Sequence, residues 1–374
     1  MNNAQIEFNN AYYTSQLITY IGNKRALLPF INSGIEAVKK KLGKEKLIAM
    51  DGFAGSGVVS RLLKAHASEL YSNDLEAYSY VVNKCFLSNK SALDMEYIKE
   101  TIELLNSLTA QKQLIEGFIY THYAPKNDDD IKTGERVFYT SQNAKILDTL
   151  KKYIYSNISL ENQHLFLAPL ITEASIRTNT SGVFKGFHKK NGIGHFGGAG
   201  ENALERIKKK IELAVPIFSK EECEVFMSQS DINEFIKEKK DIEYDLTYYD
   251  PPYNQHPYGS NYFMLNILAE EKEAVEIQDG VSGITKNWNR SLYNKKKPAA
   301  QAMEDLIEKT PAKYILVSYN NEGIIPFDKF KTILEKYGKV SLLEQDYNTY
   351  RGSRNLNNRN IKVKELLWIV EKRG

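Results

Sequence analysis

Leu47-Ile48-Ala49-Met50-Asp51-Gly52-Phe53-Ala54-Gly55-Ser56-Gly57 is the stretch on which the fold turns. A short apolar run reads as a strand, stops at Asp51 and gives way to a glycine-rich loop. Val58 to Lys64 then reads as a helix. Glycines let a backbone turn tightly and approach a ligand closely. Ser68 to Ser72 fits a second strand ending at Asn73-Asp74, which places an acid where ribose hydroxyls are bound, roughly 20 residues past the loop. The spacing is G-x-x-G-x-G, which is neither the dinucleotide pattern G-x-G-x-x-G nor a loop ending in G-K-S/T. A plain strand-to-helix turn is the bland alternative. The acidic then aromatic opening, Asp51 and Phe53, suits a cationic ligand with a neutral ribose better than a pyrophosphate, and a sulfonium cofactor fits that description.

Outward from this loop the chain alternates strands and helices. Ala26, Leu27, Phe30, Ile31 and Ile35 recur at helical spacing on the N-terminal side. Strands fit Glu224 to Met227, Leu246 to Tyr249 and Tyr314 to Ser318. Two more, Lys339 to Leu343 and Lys364 to Val370, flank a polar loop from Asp346 to Asn360. Such alternation predicts a parallel sheet covered by helices. Between the second and third strands lies a long segment rich in helix formers. Its glycine-rich patch, Gly182 to Gly200, shows no clear period and reads as a mobile loop.

The strand at Leu246 to Tyr249 runs into Asp250-Pro251-Pro252-Tyr253. Two prolines cannot continue a sheet ladder, so the strand ends there. In parallel sheets ligands bind beyond the carboxyl ends of strands, and a stiff loop carrying a carboxylate and an aromatic ring is a site candidate. An adenine amine is a poor nucleophile because its lone pair is delocalised into the ring. A carboxylate accepting one amine hydrogen and a backbone carbonyl accepting the other favour a more tetrahedral nitrogen. Positioning and charge stabilisation of this kind lower such barriers. A base must leave the duplex to reach the pocket, and the face of Tyr253 repays part of that cost by stacking.

These motifs together resemble the Dam-like, alpha-type DNA adenine-N6 methyltransferases, and within them the restriction–modification branch that includes FokI-type methylases. The order is the same: an N-terminal lysine motif, the glycine motif, an insertion, then D-P-P-Y. The resemblance runs from about Leu17 to Val370. It is carried by Tyr20-Ile21-Gly22-Asn23-Lys24-Arg25, Asn179-Thr180-Ser181-Gly182, Tyr253-Asn254-Gln255, Tyr258-Gly259-Ser260-Asn261-Tyr262 and Tyr350-Arg351-Gly352-Ser353-Arg354-Asn355. It implies S-adenosyl-L-methionine as cofactor, with no metal. Tyr20 and Lys24 would line the cofactor pocket near its methionine end. Asp74 would bind the ribose and Asp231, with Ile232, the adenine ring. Asp51, Phe53, Gly55, Gly57 and Asp250 complete the expected cofactor set, and Asp250, Pro251, Pro252 and Tyr253 the catalytic set. The family's N-terminal motif usually has Trp at the place of Tyr20 and often Gly at the place of Asn23.

The implied fold is α/β, a class I S-adenosylmethionine-dependent methyltransferase: a doubly wound, mostly parallel sheet with a C-terminal antiparallel hairpin. The catalytic domain would span residues 1–87 and 221–374, and an inserted, mainly helical target-recognition subdomain residues 88–220. The partner is double-stranded DNA, and such a system also implies a cognate restriction endonuclease. Expected DNA contacts are Arg177, Lys185, Lys189 and Lys190 in the insertion, Lys286, Arg290, Lys295, Lys296 and Lys297 in a basic and aromatic loop, and Arg351 and Arg354. A solvated surface is the plain alternative for each cluster.

The bulk numbers agree. The chain has 374 residues and a net charge of +3, mildly basic overall. Cys85 and Cys223 show no metal spacing, and neither follows a proline in a catalytic-looking loop, which argues against cytosine-carbon methylation. The six histidines show no ligand spacing. No signal-peptide pattern or membrane-length apolar run is present, so the cytoplasm is expected. The rival readings are an RNA or protein amide methyltransferase on the same fold, and a non-catalytic DNA-binding protein with a degenerate pocket.

Overall fold

The computed structural model describes residues 6–110, 113–198, 200–272, 274–321, 323–348 and 362–373, with the side chains of 347, 348, 362 and 363 left aside. Among these residues nine strands follow in chain order: β1 (Leu47–Asp51), β2 (Ala67–Asp74), β3 (Lys189–Lys190), β4 (Ile193–Gly194), β5 (Glu224–Gln229), β6 (Tyr244–Tyr249), β7 (Ala312–Asn320), β8 (Gly338–Asn348) and β9 (Lys362–Lys372). Seven of them form one sheet in the order β5-β2-β1-β6-β7-β9-β8. The first five in that order pair in parallel. β9 runs antiparallel to both β7 and β8. This is the class I methyltransferase arrangement expected from the sequence.

β1 is a short, mostly apolar run because both of its faces are covered, and β6 is buried along its whole length for the same reason. Ala49, Leu246, Tyr248 and Leu316 face one core, with the helices Leu28–Leu42 and Val58–His66. Met50, Tyr249, Ile315 and Val317 face the other, with the helices Ile232–Glu238, Pro298–Lys309 and Phe327–Tyr337. The first helix ends where Gly43 takes φ 64° and returns its N–H to the Lys39 carbonyl, the usual left-handed stop. From β1 the chain steps to β2 on one side, whereas β6 lies on the other. The carboxyl ends of β1 and β6 therefore flank the point where strand order reverses, the place where open α/β sheets bind ligands.

A third core fills the helical segment. It joins the helices Met95–Leu108, Phe118–Tyr123, Ser141–Asn157 and Gln163–Arg177 to Tyr78, Val82 and Phe86 of the helix Ala77–Phe86 and to Phe263, Leu265 and Leu268 of the helix Phe263–Ala269. This core thus extends past residues 88–220 on both sides. The glycine-rich patch, expected as a mobile loop, is instead built on the β3–β4 hairpin. Asn191 (φ 52°) and Gly192 (φ 83°) form its turn, the dipeptide favoured where both central residues need positive φ. Phe184 and Phe196 are buried beneath it, and Asn179 Nδ2 donates to the carbonyls of Val137 and His195. Among the described residues no helix is long and apolar enough to cross a membrane.

Candidate active site

The glycine loop is held from three directions. Gly52 N–H donates to Tyr248 O (3.0 Å) and Ala54 N–H to Asn73 O (3.0 Å), which ties the loop to the strands on either side. Gly55 (φ 50°) and Gly57 (φ 77°) lie in the left-handed region. A Cβ at Gly57 would sit 2.3 Å from Asn83 Oδ1, so the position is closed to side chains on both counts. Asp51 is buried under the loop and accepts from Ser60 Oγ (2.6 Å) and Phe53 N (3.3 Å). Burial pushes its carboxyl up to about 7, against those two bonds. Asp74 Oδ2 accepts from Gly55 N (2.7 Å) and Oδ1 from Glu76 N (2.9 Å), so this acid organises the loop. Burial raises its pKa in spite of these bonds.

At the end of β6, Asp250 meets charges from both ends of the chain. Lys24 Nζ lies 3.1 Å from Asp250 Oδ1 and 3.1 Å from Glu365 Oε1 of β9, and all three groups are largely buried. Glu365 Oε1 also accepts from Ser318 Oγ of β7 at 2.5 Å. Burial opposes the Lys24 charge, yet Asp250 and Glu365 hold its ammonium well above its ordinary value. Burial pushes Asp250 up to about 6, Lys24 opposing and Glu365 adding. Among the described residues Lys24 is the ion-pair partner of Asp250 Oδ1, which takes part in no other contact of this kind. Tyr253 lies edge-on to Tyr319 (centroids 6.3 Å apart), with Lys24 Nζ 5.6 Å from its ring.

The segment bearing Lys24 is clamped by aromatic rings. Tyr20 is stacked against both Tyr258 and Tyr262, each at 4.9 Å. Ile21 N–H donates to the Tyr262 hydroxyl oxygen (2.8 Å), and Tyr258 O–H donates to Ile21 O (3.1 Å). Tyrosine at position 20, where the resembling family usually has Trp, thus packs in a cluster of three near-parallel rings. The hydroxyl's neighbour is Tyr78 Oη (3.3 Å).

Between these two structures opens a cleft. Of the residues expected from sequence, Tyr20, Lys24, Asp51, Phe53, Gly55, Asp74, Asp231, Ile232, Asp250 and Pro252 line it. Gly57, Pro251 and Tyr253 are outside the lining. Gly57 shapes the loop from behind and Pro251 is buried. Asp231 also caps the helix Ile232–Glu238 through Asn233 N (2.9 Å).

Several lining residues escape sequence reasoning. Glu76 accepts from Asn266 Nδ2 (2.6 Å) and Asn289 Nδ2 (3.3 Å). Burial pushes it up to about 7, the Asn266 bond opposing and the Asp74 charge adding. Asn289, Ser291, Tyr293 and Asn294 also line the cleft, and they belong to the stretch read from sequence as a DNA-facing loop. Tyr293 packs edge-on to Phe53 and bonds Asn233 Oδ1 (2.7 Å), while Asn294 Nδ2 holds Asn254 O (2.7 Å). Only their position in the fold marks them, since no motif contains them.

The expected DNA contacts divide. Lys185, Lys190, Lys286, Arg290, Lys295, Lys296 and Lys297 are exposed, and Lys189 is half-buried with its ammonium 5.1 Å from the Phe187 ring centroid. Arg290 stacks on Trp288 at 4.0 Å, and Lys286 pairs with Glu276. Arg177 needs correction. It is largely covered and bonded to Glu173 (2.9 Å) on its own helix, so it supports the insertion rather than offering a charge to phosphate. Arg351 and Arg354 lie outside the described residues. The patch and the later loop meet, since Ser282 Oγ donates to Lys185 O and Tyr123 O–H to Gly283 O (2.7 Å).

The fold and the cleft together define a class I methyltransferase whose acidic pocket sits between a glycine loop and D-P-P-Y. The profile of the D12 class N6 adenine-specific DNA methyltransferases matches residues 20–333, and the chain belongs to that family. It is similar to the type II methyltransferase M.NlaIII of Neisseria lactamica, 30% identical over 95% of this chain and 99% of the relative. It is also similar to the type II methyltransferase M.CviAII of Paramecium bursaria Chlorella virus 1, 28% identical over 89% of this chain and 93% of the relative. The modification methylase StsI of Streptococcus sanguinis is 30% identical over 95% of this chain, which spans 52% of that longer protein. Family membership sets aside the reading as an RNA or protein amide methyltransferase.

Proposed function

We propose that the protein transfers the methyl group of S-adenosyl-L-methionine to the exocyclic amine of a flipped adenine in duplex DNA, as the modification enzyme of a restriction–modification system. The observation that carries this is the juxtaposition of the Asp51 loop and Asp250 at the ends of adjacent parallel strands, opening on one cleft. The residues present fit the cofactor. A cationic ligand with a neutral ribose suits a cleft lined by Asp51, Asp74, Glu76, Asp231 and Asp250, and the left-handed glycines keep the loop clear of side chains that would fill it.

When bound, S-adenosylmethionine supplies an electrophilic methyl carbon on its sulfonium. The chain's own residues do the rest. Gly55 would let the backbone come close to the ligand while Gly57 shapes the loop from behind, and Asp74 would hold the ribose while bracing the loop. Asp231 and Ile232, which line the cleft, would border the adenine ring. Asp250, its Oδ1 already facing Lys24 Nζ, accepts one hydrogen of the target amine, and a carbonyl of the stiff proline loop accepts the other. The nitrogen lone pair is then aimed at the methyl carbon. Tyr253 stacks on the extruded base. Positioning and charge stabilisation carry the rate. Residues 88–220 act as the target-recognition subdomain. Lys185, Lys189 and Lys190, with the loop at Lys286, Arg290 and Lys295 to Lys297, contact DNA, and a cognate endonuclease shares its site.

The test is purified protein with S-adenosylmethionine and duplex DNA, followed by mass spectrometry of the digested DNA. N6-methyladenine is expected. Asp250→Ala should abolish it, a loss of at least ~10²–10³ in rate, with cofactor affinity largely kept. Methylated cytosine alone, no product on any duplex, or an active Asp250→Ala variant would overturn the assignment.

A further inference from the structure

Glu365 touches no expected ligand, lies in no motif, and reaches the site only through Lys24. It enters from β9, is 6% exposed, and is fixed by Ser318 Oγ at 2.5 Å. Its Oε1 and Asp250 Oδ1 are equidistant from Lys24 Nζ, each at 3.1 Å. A lysine beside one carboxylate makes a neutral pair that spends the carboxylate's charge on the ammonium. A lysine between two carboxylates leaves one unit of negative charge in the pocket. We infer that Glu365 is a positioning residue for methyl transfer, which divides Lys24 between two acids and so keeps the Asp250 carboxylate available to the amine hydrogen. This inference rests on the role proposed above for Asp250.

The chemistry needs such an arrangement. As the bond from nitrogen to the methyl carbon forms and the bond from sulfur to that carbon breaks, the sulfur departs as a neutral thioether, positive charge appears on the amine nitrogen, and its extra proton passes to the Asp250 carboxylate. A neutral Asp250–Lys24 pair would meet that charge weakly, whereas a site with one excess negative charge meets it well in a water-poor setting. Among the described residues, the titratable groups that act on Asp250 include Lys24, Glu365, Asp51, Tyr248 and Tyr258. Burial raises the phenols of Tyr248 and Tyr258 well above their ordinary value, which keeps both neutral through the working pH. The balance is therefore set by Lys24, Glu365 and Asp51, and Glu365 acts in the direction that raises the affinity of Asp250 for a proton.

Glu365→Gln preserves the shape and an acceptor for Ser318 while removing the charge. The expected result is a single-turnover methylation rate lower by about tenfold, with KM for DNA and the dissociation constant for cofactor, measured by calorimetry, within about twofold. The acidic limb of the rate profile should also move to lower pH by about one unit, because Asp250 loses a negative neighbour. A merely structural glutamate would not move that limb. If Glu365→Gln does not fold, Ser318→Ala loosens the same carboxylate and should shift the limb in the same direction by less. The inference is overturned if Glu365→Gln, or Ser318→Ala in its stead, leaves the limb in place, or if its defect lies in KM and cofactor affinity alone. An active Asp250→Ala enzyme would instead defeat the underlying site assignment, so the two failures are distinguishable.

Discussion

Replacing Lys24 with methionine should destabilise the protein in a way that grows with pH. Methionine matches the length of the lysine stem but carries no charge, so the substitution leaves Asp250 and Glu365 facing each other in a buried site. Each of the two carboxylates stands 3.1 Å from Lys24, about 5 kcal/mol of attraction at an effective dielectric constant of ~20, most of it offset by the cost of burying the charges. Removing one partner of a buried set leaves the others uncompensated, which typically costs about 3–5 kcal/mol. For 374 residues the unfolding entropy is about 0.8 kcal/mol per kelvin, so the melting temperature should fall by about 4–6 °C at pH 8. The pH dependence is the sharper test. Asp250 already binds its proton more tightly folded than unfolded, near 6 against an ordinary value near 4. Such a group contributes stability below its unfolded pKa and loses it as pH rises through the folded value. Without Lys24 that loss extends to higher pH, so the gap to wild type should widen from pH 5 to pH 8. At pH 5 Asp250 is largely protonated and the wild-type lysine has lost that partner, so the gap narrows. Calorimetric melting of both proteins at half-unit pH steps gives the comparison. A difference below about 1 °C, or one that does not change with pH, would mean that the three groups do not form the coupled set described.

Gly57→Ala combines a left-handed backbone with a Cβ 2.3 Å from Asn83 Oδ1, so it should cost about 1–2 kcal/mol from the dihedral alone and weaken cofactor binding severely. Isothermal titration against wild type measures it, and unchanged affinity would show the loop to be more pliant than drawn. Neutralising Lys295, Lys296 and Lys297 together should weaken binding to all DNA sequences alike and reduce the salt slope by about one unit for each phosphate that the protein no longer neutralises. A slope identical to wild type would leave these lysines as a solvated surface. His66 is buried, its Nε2 bonded to Asn32 Oδ1 (2.7 Å) and its Nδ1 3.4 Å from Lys39 Nζ. Burial and then Lys39 push its pKa down to about 3, and the half-exposed Glu36 does not reverse this. The folded state therefore resists a proton that the unfolded chain accepts, and stability falls below pH ~6.5 by up to ~1.4 kcal/mol per pH unit. His66→Gln should flatten the acid side of the melting-temperature profile, and an unchanged acid slope would contradict the assignment.

The sheet was legible because parallel strands buried on both faces are short apolar runs with little else in them, as in β1, and because prolines and glycines end them at defined places. The two motifs at the switch point were legible for the same reason: Gly57 and the Asp250 loop are dictated by backbone geometry that few residues tolerate. The β3–β4 hairpin was readable in principle from Asn191-Gly192, but its strands are two residues each and offer no alternation to support the dipeptide. Glu76, Asn289 and Glu365 were not readable. Each is a lone polar residue whose role depends on what tertiary packing brings to within 3.5 Å, and periodicity carries no trace of that. The basic loop misled in a specific way. Its lysines do face solvent, but Asn289, Ser291, Tyr293 and Asn294 between them turn inward to the cleft, and a composition-based reading assigns a segment one face only.

If residues 88–220 recognise the target as proposed, the order of the segments lets chemistry and recognition vary separately in this chain. β2 and β5 are neighbours at one edge of the sheet, so the segment between them leaves and returns without crossing the switch point. That segment can change in length or sequence while the Asp51 loop and Asp250 keep their register, in which Asp51 pairs with Tyr248 two residues before the catalytic candidate. The separation is not complete. The helical core takes in Tyr78 and Val82, only a few residues past Asp74, and Phe263 and Leu268, shortly after Tyr253. Asn266 on that second helix bonds Glu76 at the cleft. A target bound by the insertion thus has a packed route to both the cofactor side and the D-P-P-Y side, through two helices and one buried acid. By contrast, the charges on Asp250 come from Lys24 and Glu365, near the opposite ends of the sequence, which the insertion does not include. Variation in recognition should therefore alter which site is methylated and how tightly the helices seat, while leaving the balance of charge on Asp250 to residues that no recognition change needs to touch.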